Sequence, residues 1–316
     1  MDKLHSILFK LTKKYFIQNR QDVFYLFYYS FIESVLLLIV PLISAFIINS
    51  VLAHATISVV VLSFIVVVVL MIVTFLQIIK EYIVEKFEQK IFVQSAFEIV
   101  QKAKDGVGLD KEKMDKYLNY FFDVLSIQKF LPAVVLNSYA LLLKVFVSML
   151  LLLAFDLSFF LLGLFFIVFY VIAVLYLGKN GIRYAIERSD AKHESIYFIH
   201  KMVMENKIEE NLEKLDEYLT KFIKKRTRLF KVVISQFALT YVLEGVVLST
   251  FFILGAYLVY EGIVPIGEFI ATEIIVISII SALKEFIKQI DYVYEISEGL
   301  YKVDKLSKIL ENDERI

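Results

Sequence analysis

Residues 57–79 form an unbroken apolar run with no charged side chain, and this run constrains the fold more than any other feature. Its core, ISVVVLSFIVVVVLMIV, lacks the alternation of polar and apolar residues that is typical of strands in a membrane barrel. A helix satisfies all of its backbone hydrogen bonds internally, so a helix is the structure that such a run can adopt within a bilayer. The composition agrees, because 59% of the 316 residues are hydrophobic, well above the roughly 45–50% of a soluble domain.

Five further stretches are long and apolar enough to cross the hydrocarbon core, which takes about 20 helical residues. Together with the first run, they predict six spans at residues 22–50, 57–79, 133–155, 157–177, 237–260 and 265–283. We therefore expect an all-α membrane protein, with a six-helix transmembrane domain over residues 22–290 and a cytoplasmic helix or linker over residues 291–316.

The basic residues lie on one side of these spans. Residues 1–21 hold five Lys and Arg, residues 80–131 hold nine, residues 178–236 hold thirteen and the tail from residue 284 holds six. The connections around residues 51–56, 156 and 261–264 hold none, and the remaining cation, Lys144, lies inside the third span. Because basic loops remain on the cytoplasmic side, this distribution predicts a multi-pass protein of the inner membrane with both termini in the cytoplasm.

The first 21 residues carry an apolar stripe at spacings of three and four, with most of their lysines off the stripe. This pattern predicts an amphipathic elbow helix that lies in the headgroups of the anionic inner leaflet. A cleaved signal peptide is the competing interpretation, but no small-residue cleavage site follows a short apolar region.

The long connections at residues 80–131 and 178–236 predict helical hairpins that extend into the cytoplasm. Apolar residues continue at helical spacing beyond spans two and four, until the polar segments GLDKEKMDK (108–116) and ENKIEENLEKL (205–215) interrupt them. About 25 further helical residues after span two would reach roughly 35–40 Å into the cytoplasm. Two interpretations stay open: tips that a soluble partner pushes, and solvated stalks with no mechanical task.

The sequence contains no recognisable catalytic, phosphate-binding or metal-binding motif. It has no Cys, no phosphate-binding G-x-x-x-x-G-K-[S/T] loop and no H-E-x-x-H motif, and its four His residues are scattered. We therefore expect no metal, no catalytic residues and no cofactor bound by this chain. The formal net charge of zero gives no basis for binding nucleic acid.

The layout resembles the transmembrane half of an ABC exporter: six spans, an N-terminal elbow, two long inward hairpins and short outer loops. VPLISAFIINSVL (40–52) is similar to the end of that family's first span, and NYFFDVLSIQKFLP (119–132) to the segment that returns to span three. GIVPIGEFIATEIIVISII (262–280) and DYVYEISEGLYKVDKLSKILE (291–311) are similar to the sixth span and the linker that normally leads to the nucleotide-binding domain.

The resemblance implies a domain-swapped dimer of two membrane halves, homo- or heteromeric, that forms the pathway of an ATP-driven exporter. ATP and magnesium would be bound by an ABC-type ATP-binding subunit, on a partner chain or on a part not included in this one, and a periplasmic adaptor is left open. The resemblance also implies coupling helices that dock on the ATPase, at Gly108, Leu109, Asp110, Lys111 and Glu112 and at Asn206, Lys207, Ile208, Glu209, Glu210 and Asn211.

Ionisable groups within spans are costly unless they are paired or hydrated, so they are candidates for the substrate pathway. These candidates are Glu33, Lys144, Glu244 and Glu273, and the resemblance also places an acidic residue at the last of them. We expect Lys144 to face the dimer interior and to pair with a carboxylate, with Glu33 at a comparable depth. A structural pair that locks the bundle is the alternative. Glu268 would lie at the outer interface.

Two other functions compete with the exporter. One is a non-transporting membrane scaffold whose stalks hold cytoplasmic partners. The other is an ion-coupled secondary transporter, which predicts internal repeats and paired helix breaks in mid-span. Pro41 is the one mid-membrane breaker candidate.

Overall fold

The computed structural model describes Ile17 and residues 20–105, 138–206 and 208–313, and within these ranges the chain is all-α, with no strand. The elements are α1 (Arg20–Leu52), α2 (Thr56–Asp105), α3 (described over Ser138–Phe155), α4 (Leu157–Gly178), α5 (Gly181–Met204), a 3₁₀ turn (Glu209–Asn211), α6 (Leu212–Tyr260) and α7 (Ile266–Asp313).

Six of the described segments are long and apolar enough to span a membrane, which confirms the predicted number of spans. The longest helices exceed the bilayer. α2, α6 and α7 have 50, 49 and 48 residues, or about 72–75 Å at the helical rise, against about 30 Å for the hydrocarbon core. Each therefore continues well outside the apolar layer.

Several predicted boundaries differ from the observed ones. α6 begins at Leu212, so the second polar tip is shorter than predicted, because Leu212–Leu215 already belong to the helix. The predicted division between residues 290 and 291 lies inside α7, which continues without a break. α1 likewise passes through Pro41 as one helix. The predicted elbow helix (residues 1–21) lies largely outside the described residues. The first tip (108–116) and the segment that returns to span three (119–132) lie outside them entirely.

α7 is the central helix of the fold. It packs against α1, α5 and α6, and half of its most apolar segment is buried, compared with 17–22% in each other span. The main core lies where α3, α4, α6 and α7 meet, and its buried members are Met149, Leu152, Phe159, Phe251, Leu258, Val264, Ile275, Val276, Ile279 and Ile280. α1 packs along α2, which lies at the edge of the bundle.

The outward faces of the spans are strongly apolar. Large side chains such as Phe64, Met71 and Phe75 on α2 and Phe165 and Ile172 on α4 are exposed in the isolated chain. An exposed apolar area of this extent is unfavourable in water but matches the acyl chains of a bilayer. The surface therefore supports the membrane assignment independently of helix length.

Candidate functional site

Glu33 is held by α2. Its carboxylate forms an ion pair with Lys80 and accepts a hydrogen bond from Gln77 Nε2 at 2.8 Å. Gln77 and Lys80 are three residues apart and so lie on the same face of α2, where both reach the buried glutamate. Within the described part of the chain, Lys80 at the end of span two thus supplies the counter-charge of Glu33, while the pairing of Lys144 with a carboxylate across a dimer stays a prediction.

Glu244 has an equivalent arrangement between α6 and α7. Its Oε2 lies 2.5 Å from Lys284 Nζ, and the same ammonium group lies 4.7 Å from the centre of the Tyr241 ring. Lys80 and Lys284 each directly follow an apolar run, at residues 57–79 and 265–283, where a lysine can extend toward water. Both glutamates thus fit the alternative interpretation of structural pairs that connect neighbouring helices.

Lys144 is half-buried, and no carboxylate pairs with it in the described part of the chain. Its depth follows from the hydrogen bond that Ser138 Oγ on α3 donates to Gln289 Oε1 on α7, at 3.0 Å. From this bond α3 crosses the predicted bilayer region with increasing residue number and α7 with decreasing residue number. Lys144 lies six residues from Ser138 and Glu273 sixteen from Gln289, so the two are about 15 Å apart along the helices and do not meet within this chain.

Glu273 differs from the other acidic candidates. It is only 7% exposed, and both of its carboxyl oxygens are buried without a hydrogen-bond partner among the described residues. Glu268, by contrast, lies in the first turn of α7, where the helix dipole favours a negative charge. The four predicted pathway residues therefore do not form one cluster: two are paired, and Lys144 and Glu273 lie apart.

A cavity of about 40 Å³ lies between α4, α6 and α7 within the predicted bilayer region. Its walls are largely apolar, with the side chains of Phe166, Phe251 and Leu283 among them, and Glu244 also lines it. Tyr170 donates a hydrogen bond to the backbone oxygen of Leu283 at 3.2 Å, and its hydroxyl lies 3.3 Å from Thr240 Oγ1. Tyr170 is not among the residues predicted from the sequence, although a phenol within a largely apolar span could have indicated a polar contact there.

The tip of the second hairpin is a tight turn with an apolar surface. The backbone N–H of Glu205 donates to Lys201 O and that of Asn206 donates to Val203 O, which closes α5. Asn206 then turns the chain with a φ of 51°. Asn is among the few non-glycine residues that adopt this left-handed conformation readily. Four apolar side chains are exposed around the turn: Val203, Met204, Ile208 and Leu212. We call these four side chains the tip surface.

Among the predicted coupling residues, Glu209, Glu210 and Asn211 form the 3₁₀ turn that leads into α6. Ile208 belongs to the tip surface and Asn206 makes the turn, so this second set is brought together. Lys207 and the whole first set, Gly108, Leu109, Asp110, Lys111 and Glu112, lie outside the described residues.

Polar contacts hold the arms of this hairpin together. Glu194 pairs with Lys221 at 2.6 Å, and the rings of Phe198 and Tyr218 stack with centroids 4.8 Å apart. Glu187, which lies outside the predicted spans, accepts a hydrogen bond from Lys225, which holds the pKa of that carboxyl below its usual range. These contacts favour a hairpin that moves as a unit.

The hairpin also contacts the central helix. Arg188 Nη2 lies 2.9 Å from Glu298 Oε2 on α7, and both side chains are largely buried. Because α7 also contains the sixth span, this ion pair connects the hairpin to the membrane-spanning bundle.

Comparison with models of known protein families and with curated proteins finds no match for this chain. No cluster of His, Asp and Glu suited to a metal ion occurs within the described ranges. The functional proposal therefore rests on the geometry of the described residues.

Proposed function

We propose that this chain is the membrane-spanning subunit of an ATP-driven exporter of the ABC type, which forms the substrate pathway with a second membrane half. ATP hydrolysis would take place on an ATP-binding subunit that binds the cytoplasmic tips. The main support for the proposal is the tip surface, which lies at the end of a hairpin whose arms are joined by ion pairs.

The position of the tip surface favours a protein partner over lipid. α5 has 24 residues beyond the end of α4, so the turn lies about 36 Å further along the helices. At that distance Met204 and Ile208 cannot insert into the bilayer, and exposed apolar side chains far from lipid are typical of a protein contact. Docking would then depend on apolar burial together with shape, rather than on net charge.

A force applied to the tip surface would be transmitted through direct contacts to the membrane-spanning helices. The Arg188–Glu298 ion pair and the packing of α5 against α7 connect the hairpin to α7, and α7 packs against α1 and α6 in the bundle. Movement of the hairpin would therefore shift the helix around which the spans are arranged.

The ion-coupled alternative has less support, because the spans within the described ranges are continuous and α1 is not interrupted at Pro41. A non-transporting scaffold would present the same stalks. Scaffold and exporter differ in whether a bound ATPase changes its activity.

The deciding experiment is purification of the tagged chain from its native membranes, with identification of the proteins that accompany it. We expect an ATP-binding subunit to accompany the chain, and faster ATP turnover in the complex than in that subunit alone. Recovery of the chain with no ATPase, or of an ATPase whose turnover the chain does not alter, would overturn the proposal.

A further inference from the structure

Glu273 is the one acidic residue within the described spans that is buried without a partner. Glu33 and Glu244 each have a lysine from a neighbouring helix. Both oxygens of Glu273 are enclosed, with neither a cation nor a hydrogen-bond donor beside them in the described chain. The difference sets this residue apart from the structural pairs.

The surroundings of Glu273 offer no counter-charge at its depth. It lies seven residues inside the outer end of α7, or about 11 Å into the bilayer. No Asp, Glu, Lys or Arg occurs in the outer parts of the helices around it, at residues 34–52 of α1, 57–79 of α2, 145–155 of α3, 157–178 of α4 and 245–260 of α6.

The remaining titratable groups nearby cannot neutralise a carboxylate. The phenols of α4 and α6 in this region are neutral, and Asp156 accepts a hydrogen bond from the Ser158 N–H at the start of α4. Glu268 on the same helix carries the same charge as an ionised Glu273 would. The titratable groups in the outer parts of these helices and in the connections between them are Tyr170, Tyr176, Tyr257, Tyr260, His54, Asp156, Glu261 and Glu268. His54 lies in the connection that follows α1, beyond the end of that helix and not at the depth of Glu273.

An ionised carboxylate enclosed in this way has lost its hydration, and no hydrogen bond or ion pair within the described residues replaces it. In such surroundings an acid takes up a proton rather than carry the charge. We infer that Glu273 is a proton-binding site within the bilayer, occupied in the conformation described here. A movement of α7 that admits water to this side chain would release the proton, so opening of the helix bundle is linked to proton release.

Infrared difference spectroscopy of the full chain in lipid nanodiscs at neutral pH tests this inference. The wild-type minus Glu273→Gln spectrum should show the carbonyl stretch of a protonated carboxylic acid and no carboxylate bands. Glu33→Gln and Glu244→Gln are matched controls, and each should remove carboxylate bands, because each of these side chains forms an ion pair with a lysine. Carboxylate bands lost from Glu273→Gln would overturn the inference.

A second measurement uses the unaltered protein, so it does not depend on how a variant folds. Dicyclohexylcarbodiimide dissolves in the bilayer and adds to protonated carboxyls: the carboxyl oxygen bonds to the carbodiimide carbon, and the proton moves to a nitrogen. We expect modification at Glu273 to exceed that at Glu33 by about tenfold, because the ion pair keeps the latter ionised. Equal or lower modification at Glu273 would contradict the inference. Neither measurement requires an ATPase, so the result is independent of the proposed function.

Discussion

Gly181 lies directly against the ring of Tyr294, so a β-carbon placed on this glycine would overlap the ring carbons. The contact joins the first residue of α5 to the part of α7 that follows the sixth span, next to a cluster formed by Ala185, Leu229 and Val233. The absence of a side chain at position 181 therefore sets how closely the hairpin approaches the central helix.

The first prediction concerns this contact. Gly181→Ala should destabilise the fold by about 1–3 kcal/mol, because overpacking forces the ring or the backbone to move. Gly245→Ala is the matched control on α6, since a β-carbon there meets nothing within 4 Å. Thermal unfolding followed by circular dichroism suits a chain that has no Trp. Equal midpoints for the two variants would contradict the packing described.

The second prediction concerns the buried pair of Glu33 and Lys80. Lys80→Met should cost about 3–5 kcal/mol, because it leaves a buried carboxylate without its counter-charge. Adding Glu33→Gln should restore most of the loss, since the amide oxygen can still accept from Gln77.

Lys90→Met serves as the control for that pair. Lys90 pairs with Asp22 between the same two helices, but it is 55% exposed, and exposed pairs contribute about 0–1 kcal/mol. If Lys90→Met lowers the free energy of unfolding as much as Lys80→Met does, burial is not what makes the Glu33–Lys80 pair important for stability.

The third prediction tests which chain supplies the contact between α5 and α7. The chain has no Cys, so Arg188→Cys with Glu298→Cys can be joined by a short thiol cross-linker without background. We expect the cross-link within one chain, as the ion pair is placed in the structure. Glu194→Cys with Lys221→Cys is the intrachain control.

Co-expression of two differently tagged chains, one with each single cysteine, provides the converse test. A cross-linked dimer from that mixture would show that the hairpin contacts α7 of a second copy, as the predicted domain swap requires.

The fourth prediction concerns the tip surface. Met204→Asp or Ile208→Asp should reduce recovery of the ATP-binding subunit by about tenfold, because a charge placed in a buried apolar contact costs more than a kcal/mol. Ile223→Asp is the control: Ile223 is 60% exposed on α6 but lies about 17 Å along the helix from Leu212. Equal losses in all three variants would indicate a general effect on the hairpin.

The spans and the second hairpin could be predicted because hydropathy and helical spacing are local properties. Residues 57–79 have no other stable form in lipid, and ENKIEENLEKL interrupts the helical pattern close to where the turn occurs. The partner of Glu33 could not be predicted in this way. Choosing Lys80 over Lys144 requires the rotation of α1 against α2, and that rotation depends on packing between distant residues.

The amino-acid sequence alone determined how many helices cross the membrane, which side holds the basic residues and how far the helices extend, because each of these depends on the transfer of nearby residues between water and lipid. The tertiary structure decided that α7 is central, that Glu33 and Glu244 have lysine partners, and that Glu273 is enclosed without one. These outcomes depend on which helix faces meet, and a pattern along the chain does not contain that information.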